Sequence, residues 1–407
     1  MGIYCGIDWS ETHHDVAIVD EAGQVLVRRR VGDSIEGFST LAGLMAAHAG
    51  SKTFTPVKVA IETDRGLFVA ALRAAGHQVY AINPLAVSRY RDRYAVSGAK
   101  SDPGDAIVLA NILRTDAEVH RPLPEDSDIA LAVGVLARAH QDTVWSRQQD
   151  TNRLRSLLRE FFPAALQAFP DLTSRTAMAI LTEAPTPTTA AALSPADLTN
   201  LLRAAGRGTR PEVTARLHAL FNVEQLHHPP AVEAAMGHAV RALAHTVTAS
   251  SDALRDLETE LASCFEQHPD VEVLNSLPGL GLVLGARVLG EFGDDRSRFT
   301  DAASRRNYAG TSPITRSSGK GRTVLARFIR NKRLNTACYL WAFASLQRSP
   351  GARAYYDRRR AGGDNHPAAL RRLASKLLTQ LDYCLRNGVL YNEVTAWHRI
   401  ELAAPAI

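Results

Sequence analysis

Cysteine is scarce and scattered: Cys5, Cys264, Cys338 and Cys384 are the only four in 407 residues, and no CxxC pair occurs. That spacing argues against a zinc site and a disulfide framework, and it points to a reduced compartment with the thiols as core fillers. No apolar run is long enough to cross a bilayer, and the chain enters a strand almost at once instead of a charged-then-apolar leader. A soluble, cytoplasmic protein with no membrane partner is expected. A nucleotide loop is also missing, because Gly319-Lys320-Gly321 follows no clear strand and lacks the GxxxxGK[ST] frame. A formal net charge of +5 is too modest by itself to name a nucleic-acid partner. One window nearly lacks acid. Between Arg296 and Arg333, Asp301 stands against Arg296, Arg298, Arg305, Arg306, Arg316, Lys320, Arg322, Arg327, Arg330, Lys332 and Arg333, a pattern that reads as a surface for a polyanion. The length allows two or three domains with full cores and no covalent staple.

Four acids punctuate the first quarter of the chain. Ile3 to Asp8 and Val57 to Glu62 are short β runs that each end in a carboxylate. A buried carboxylate is costly unless hydrogen-bonded, paired or metal-bound, so two such strands delivering acids to one edge suggest a shared cation. Lys100-Ser101-Asp102-Pro103-Gly104-Asp105-Ala106 then sets two acids three apart at the start of a helical pattern, a spacing that puts both on one helix face. Asp64 is an outside candidate, since on a continuing strand it would share the face of Glu62.

The first part alternates strands and helices. Runs at Ile3 to Asp8, His14 to Val19 and Gln24 to Arg30 predict an antiparallel meander. A helix from Ile35 to His48, the Glu62 strand, a helix from Gly66 to Ala75 and a strand from Gln78 to Asn83 follow. That is a ribonuclease-H-like order, in which functional side chains gather at one end of neighbouring strands. Long helices are predicted from Ser127 to Phe162, closed by Pro163, and from Val232 to Phe265, both with coiled-coil-like apolar spacing. An internal antiparallel hairpin and self-association account equally for that stripe. The Ala/Thr/Pro-rich stretch from Ala184 to Pro195 reads as a loop or insertion outside the core. The expected domains are 1–122 (α/β), 123–268 (helical connector with an irregular insertion) and 269–407 (mostly α).

The last part opens on Leu277-Pro278-Gly279-Leu280-Gly281 between two helical patterns. Such a turn is either an ordinary helix-helix connection or a helix-hairpin-helix element whose backbone N–H groups at Pro278, Gly279 and Gly281 meet a phosphate. Within the basic window, Ser317-Ser318-Gly319 lies between Arg316 and Lys320-Gly321-Arg322. Cations stabilise a phosphorane-like transition state and glycine admits close approach, although a Ser-Ser-Gly turn is more commonly a plain loop. Arg358, Arg359 and Arg360 are candidates for backbone phosphate contact, and His366 reads as a surface histidine beside a glycine turn.

Taken together, Gly6-Ile7-Asp8, Ile61-Glu62-Thr63, Lys100 to Ala106, Pro278 to Gly281 and Tyr308-Ala309-Gly310 through Ser318-Gly319 resemble the DEDD-type insertion-sequence transposases related to the Piv DNA invertase, some of which are guided by a bridge RNA. The order of these short motifs spans most of the chain. The resemblance implies an N-terminal RuvC-like domain, a coiled-coil connector and a C-terminal helical transposase domain. It implies Asp8, Glu62, Asp102 and Asp105 as an acidic tetrad holding two Mg²⁺ ions about 4 Å apart, with Mn²⁺ as a substitute. It further implies Ser318 as the nucleophile, with Ser317 a close rival, and Arg316, Lys320, Arg322, Arg327 and Arg330 on nucleic acid. Donor and target DNA, a guide RNA in some members and a homo-dimer or tetramer are the implied partners. Pro103-Gly104 departs from the large or charged residues usual in the third motif. Proline suits a first helical turn, with Asp102 as cap and Asp105 facing inward.

Two enzymatic alternatives use the same opening strand. A Holliday-junction or other structure-specific nuclease would employ the acids with water, and a sugar kinase or actin-like ATPase would follow Asp8 with a glycine-rich phosphate hairpin, where this chain has Trp9-Ser10-Glu11-Thr12. A non-catalytic architectural nucleic-acid binder leaves the acids without a purpose.

Overall fold

The computed structural model describes residues 2–50, 54–94, 101–206, 208, 210–319 and 321–401. The chain divides into two compact units, Met1–Glu125 and Asp126–Ile407.

In the first unit the order is β1 (Ile3–Trp9), β2 (His13–Asp20), β3 (Val25–Gly32), α1 (Ile35–His48), β4 (Lys58–Ile61), α2 (Leu67–Ala74), β5 (Gln78–Ala81), α3 (Pro84–Tyr94) and α4 (Asp102–Asp116). The sheet runs β3-β2-β1-β4-β5, antiparallel across the β1–β2–β3 meander and parallel from β1 through β4 to β5. Strand alternation sorts the side chains into two layers. Cys5, Ile7, Val59 and Ile61 meet Leu41, Met45, Phe68 and Leu72 on one side. On the other side Ala60, Tyr80 and Ile82 meet Leu109, Ile112 and Leu113 of α4. The expected strands and helices of this unit are all present. Beyond the expected strand ending at Asn83 the chain adds α3, which Pro84 opens.

The second unit is built on two long helices, α5 (Asp128–Phe161) and, after the shorter α6 (Pro163–Ala168), α7 (Arg175–Glu183), α8 (Pro187–Ala191), α9 (Pro195–Ala204) and α10 (Pro211–Phe221), the 37-residue α11 (Pro230–Glu266). They pack antiparallel within one chain: His140 meets Glu258 at 3.0 Å and Arg147 meets Ser251 at 3.4 Å. One end of the pair holds a core of Leu154, Leu158, Phe162, Phe221, Val240 and Val247 under α6 to α10. The stretch from Ala184 to Pro195, expected as a loop outside the core, belongs to this core instead: Ala184 and Ala190 are buried in it. Its threonines make the difference, because Thr186 and Thr189 cap α8 reciprocally and the Thr188 N–H donates to Glu233 of α11.

At the other end Val133, Ala137, Leu261 and Phe265 join a second core with the remaining helices. These are α12 (Val271–Ser276), α13 (Leu282–Phe292), α14 (Ala302–Tyr308), α15 (Lys332–Ser345), α16 (Pro350–Ala361), α17 (His366–Asn387) and α18 (Glu393–Glu401), while the hairpin strands β6 (Ile314–Ser318) and β7 (Gly321–Leu325) contribute no residue to this core. Trp341, fully buried, donates its indole N–H to the Pro278 carbonyl at 3.0 Å and so ties α15 to the turn before α13.

Candidate active site

Asp8 sits near the end of β1, and Ile7 pairs in parallel register with Ile61, so Asp8 and Glu62 stand level at the carboxyl ends of adjacent strands. Alternation assigns Asp8 to the face of Gly6, and Glu62, the first residue beyond β4, to the face of Ala60. That face is covered by α4, and the contact is close. A Cβ added to Gly6 would lie 2.0 Å from the Ala106 carbonyl oxygen and 2.4 Å from the Ala110 nitrogen. Only glycine lets helix and strand touch there. Asp105, next to Ala106, is thereby carried to the same edge.

Of the two α4 acids, Asp105 is paired with an arginine and Asp102 lies within the field of another. Asp105 is buried, and Arg91 of α3 reaches its Oδ1 through Nε at 2.7 Å and Nη2 at 2.6 Å. Asp102 is exposed and feels Arg30 of β3, whose pKa is raised by its hydrogen bond to Asp15 and further by the field of Asp102. Asp15 is itself buried and stands opposite Asp8 in the β1–β2 register. The cap of α4 is Ser101 and not Asp102, which is already helical; its exposed side chain is left toward solvent, while Asp105 faces inward as expected. Asp64 does not share the face of Glu62, because β4 ends at Ile61 and Asp64 lies in an exposed bend, 3.4 Å from Arg65.

Hard carboxylate oxygens at one sheet edge suit Mg²⁺ in donor type. Their spacing does not close a cage here: among the described residues no three His, Cys, Asp or Glu side chains are grouped to hold one ion. Arg91 occupies one of the two Asp105 oxygens, Oδ1.

Ser318 belongs to the second unit. It ends β6 of an exposed two-stranded ribbon, opposite Gly321, and Ser317 pairs with Arg322. This hairpin replaces the expected loop. Gly319 follows with φ of 56°, a left-handed turn position. Arg316 and Arg322 are exposed on the ribbon, and Lys320 lies outside the described residues.

The basic window is only partly a surface. Arg305 is buried against Asp382 at 2.7 Å and over the Phe292 and Phe299 rings, Arg296 binds Asp270 at 2.5 Å, and Arg333 grips Asp142 at 2.7 and 2.9 Å. Arg298 donates to the Phe292 carbonyl and the Tyr308 hydroxyl. The acids Asp270, Asp142 and Asp382 all lie outside the window, which is why it read as one uncompensated block. Arg359 is likewise spent on Asp364 at 2.6 Å and Arg360 on the Asp364 carbonyl, while His366 is half-buried, its Nδ1 2.7 Å from the Tyr356 hydroxyl.

At the Pro278 turn, Gly279 has φ of 78°, and an added Cβ would meet the Ser345 nitrogen at 2.6 Å. This glycine serves close packing on α15. Gly281, exposed at the start of α13 with nothing within 4 Å of an added Cβ, is the position open to a ligand.

Two transposase family models match the chain. One, a DEDD transposase model of the IS110 group described as "Transposase", covers residues 5–163 and hence all four acids, and the other, "Transposase IS116/IS110/IS902 family", covers residues 271–357, including the Pro278 turn and the ribbon. The mini-circle putative transposase for IS117 of Streptomyces coelicolor is 53% identical over 99% of both chains. The IS110 43.6 kDa protein of the same organism is 32% identical over 99% of this chain and 98% of its own, and the IS900 42 kDa protein of Mycobacterium paratuberculosis is 29% identical over 97% and 98%. The chain belongs to the IS110/IS116 family of insertion-element transposases.

Reasoning from sequence did not find Arg91, Arg30 or Asp15. Nothing local marks them, since each acts through a neighbour brought in by the fold.

Proposed function

We propose that this transposase cuts and rejoins DNA strands with a divalent-cation site on its first unit and a serine nucleophile on its second. The observation that carries the reading is the level placement of Asp8 and Glu62 on the sheet face against which Gly6 seats α4 and Asp105. The first unit is then a RuvC-like domain, consistent with the β3-β2-β1-β4-β5 order. Asp8, Glu62, Asp102 and Asp105 would hold Mg²⁺ or Mn²⁺. When bound, the cations offset charge on the scissile phosphate.

Ser318 carries the covalent step. Its Oγ attacks phosphorus, forming a serine–phosphate ester as the bond to the leaving deoxyribose oxygen breaks; the hydroxyl proton passes through solvent to that oxygen. The ester keeps the phosphodiester energy, so attack by a second DNA hydroxyl rejoins strands and restores serine. Exposure on a ribbon allows Ser318 to reach a duplex, and Arg316 and Arg322 beside it supply positive charge. Because the acids and the serine belong to different units, the working site is composite, and a homodimer or tetramer with serine donated between subunits is part of the proposal. So is recognition of donor and target DNA through a guide RNA, which would delegate sequence choice to base pairing.

The test is denaturing electrophoresis of labelled supercoiled DNA incubated with the protein and Mg²⁺. Wild type is expected to give protein-linked DNA, Ser318→Ala none, and Ser317→Ala the wild-type amount. Adducts persisting in Ser318→Ala refute the nucleophile. Simple cuts without adducts in wild type favour a RuvC-like nuclease that uses water.

A further inference from the structure

The second unit holds a cleft of about 240 Å³ bordered by Thr311, Arg327, Arg330, Asn335, Tyr339 and Arg371, with no carboxylate in its lining. Three guanidiniums around a cleft without an acid are self-repelling, and a folded chain keeps such a set only where an anion or solvent compensates it. Their own bonds leave donors to spare. Arg327 gives one Nη to Asn307 at 3.2 Å while its buried Nε has no partner, and Arg330 gives one Nη to the Arg327 carbonyl at 2.7 Å. Arg371 has no hydrogen-bond partner among the described residues, and Asp364, whose field it feels, is already held by Arg359 and Arg372.

The volume falls below the roughly 300–1,000 Å³ of small-molecule pockets, which disfavours a cofactor and suits one group of a larger ligand. Placement adds a second argument. Thr311 lies just before β6 and Arg327 just after β7, so the cleft sits at the root of the ribbon whose tip bears Ser318. Five residues of strand span about 16 Å, a short step along a nucleic-acid backbone.

We infer that this cleft is a phosphate-binding site that anchors a backbone phosphodiester of a nucleic-acid strand beside the β6–β7 ribbon, with Arg327, Arg330 and Arg371 as its donors. The anion site stands on the cleft alone; the assignment of a nucleic-acid strand rests on the transposase reading. Since the arginines touch phosphate and not base edges, the anchor contributes affinity without sequence preference.

The test uses the full chain and fluorescence anisotropy of short labelled duplexes of unrelated sequence, titrated across a range of salt. Arg371→Gln is expected to weaken binding equally for every sequence and to lower the slope of log affinity against log salt, and the Arg327→Gln/Arg330→Gln/Arg371→Gln variant to weaken binding further with a total loss of slope of about one, the share of the single phosphate held. Arg371→Lys, which keeps the charge, should restore the slope, and circular dichroism checks that each variant folds. Unchanged affinity and slope in the triple variant overturn the inference. In a separate arm, inorganic phosphate that raises the melting temperature of wild type but not of the triple variant, with DNA binding unaltered in that variant, would overturn the nucleic-acid assignment in favour of free phosphate. Ser318→Ala should leave the slope untouched, so loss of the anchor and failure of the nucleophile are read separately.

Discussion

Gly6→Ala tests the seat of α4 directly. The new methyl would stand 2.0 Å from the Ala106 carbonyl oxygen, where real contacts essentially never fall below 3.0 Å. The helix must therefore retreat by at least 3.0 − 2.0 = 1.0 Å. The obstacle is backbone on both sides, the Ala106 oxygen and the Ala110 nitrogen, so no side chain can rotate aside. Overpacking of this kind costs about 1–3 kcal/mol, and the absence of a soft neighbour places this case at about 3 kcal/mol. Asp105 moves with the helix, and under the proposed cation site a misplacement of about 1 Å would cost about 10²-fold in rate. Hydrogen exchange resolved to β1 and α4 peptides measures the first effect, and DNA strand cleavage the second. Gly43→Ala is the control, an exposed helical glycine with nothing within 4 Å of an added Cβ, and should be neutral or stabilising by up to about 1 kcal/mol. If Gly6→Ala protects β1 as well as wild type does and cleaves at the same rate, the packing of strand on helix does not position the acids.

Other perturbations follow from single contacts. Arg91→Met leaves the buried Asp105 without its partner and should destabilise the first unit by about 3 kcal/mol, with added Mg²⁺ restoring more protection in hydrogen exchange than it adds to wild type. Glu233 is pushed up by burial, but hydrogen bonds from Thr188, His227 and Thr186 outweigh this and hold it at about 2. Its stabilisation is thus complete above the ordinary value of 4.5 and is lost as pH falls toward about 2; Glu233→Gln should remove about 3 kcal/mol at neutral pH and flatten that acid limb in a melting series. Burial pushes the Cys5 and Cys338 thiols up to about 12 and raises Cys384 as well, so native-state labelling with a thiol reagent should modify Cys264 first, and fast reaction at Cys5 would contradict the packed β1 layer. Arg305→Met removes one of the two arginines on the buried Asp382, leaving Arg386 at 2.8 Å, and should cost about 1–3 kcal/mol, measured by chemical denaturation of the full chain.

Much of the first unit was legible because it rests on local periodicity. The runs ending at Asp8 and Glu62 alternate or stay apolar over the length of a strand, and their parallel neighbourhood follows from the order of elements. The two long helices were equally readable, though not whom they packed against; the His140–Glu258 contact identifies their partner as each other. What escaped detection depends on distance along the chain. Arg91 and Asp105 are 14 residues apart and Arg305 and Asp382 are 77 apart, and no window contains a sign of either pair. For the same reason the block from Arg296 to Arg333 looked more cationic than it is. The stretch from Ala184 to Pro195 misled in the opposite direction: its prolines and threonines suggested a loop, yet they start and cap short helices that enter a core.

The way α4 lies over β1 has a consequence during synthesis. The meander can pair as soon as its first three strands emerge, since their contacts are close in sequence. The groove above Gly6 stays bare until a segment some hundred residues downstream leaves the ribosome, which at about 5–20 residues per second takes several seconds. A nascent or prematurely terminated chain that stops short of Asp102 therefore carries Asp8 and Glu62 but none of the helix that seats against Gly6, so the edge stays open in every such fragment.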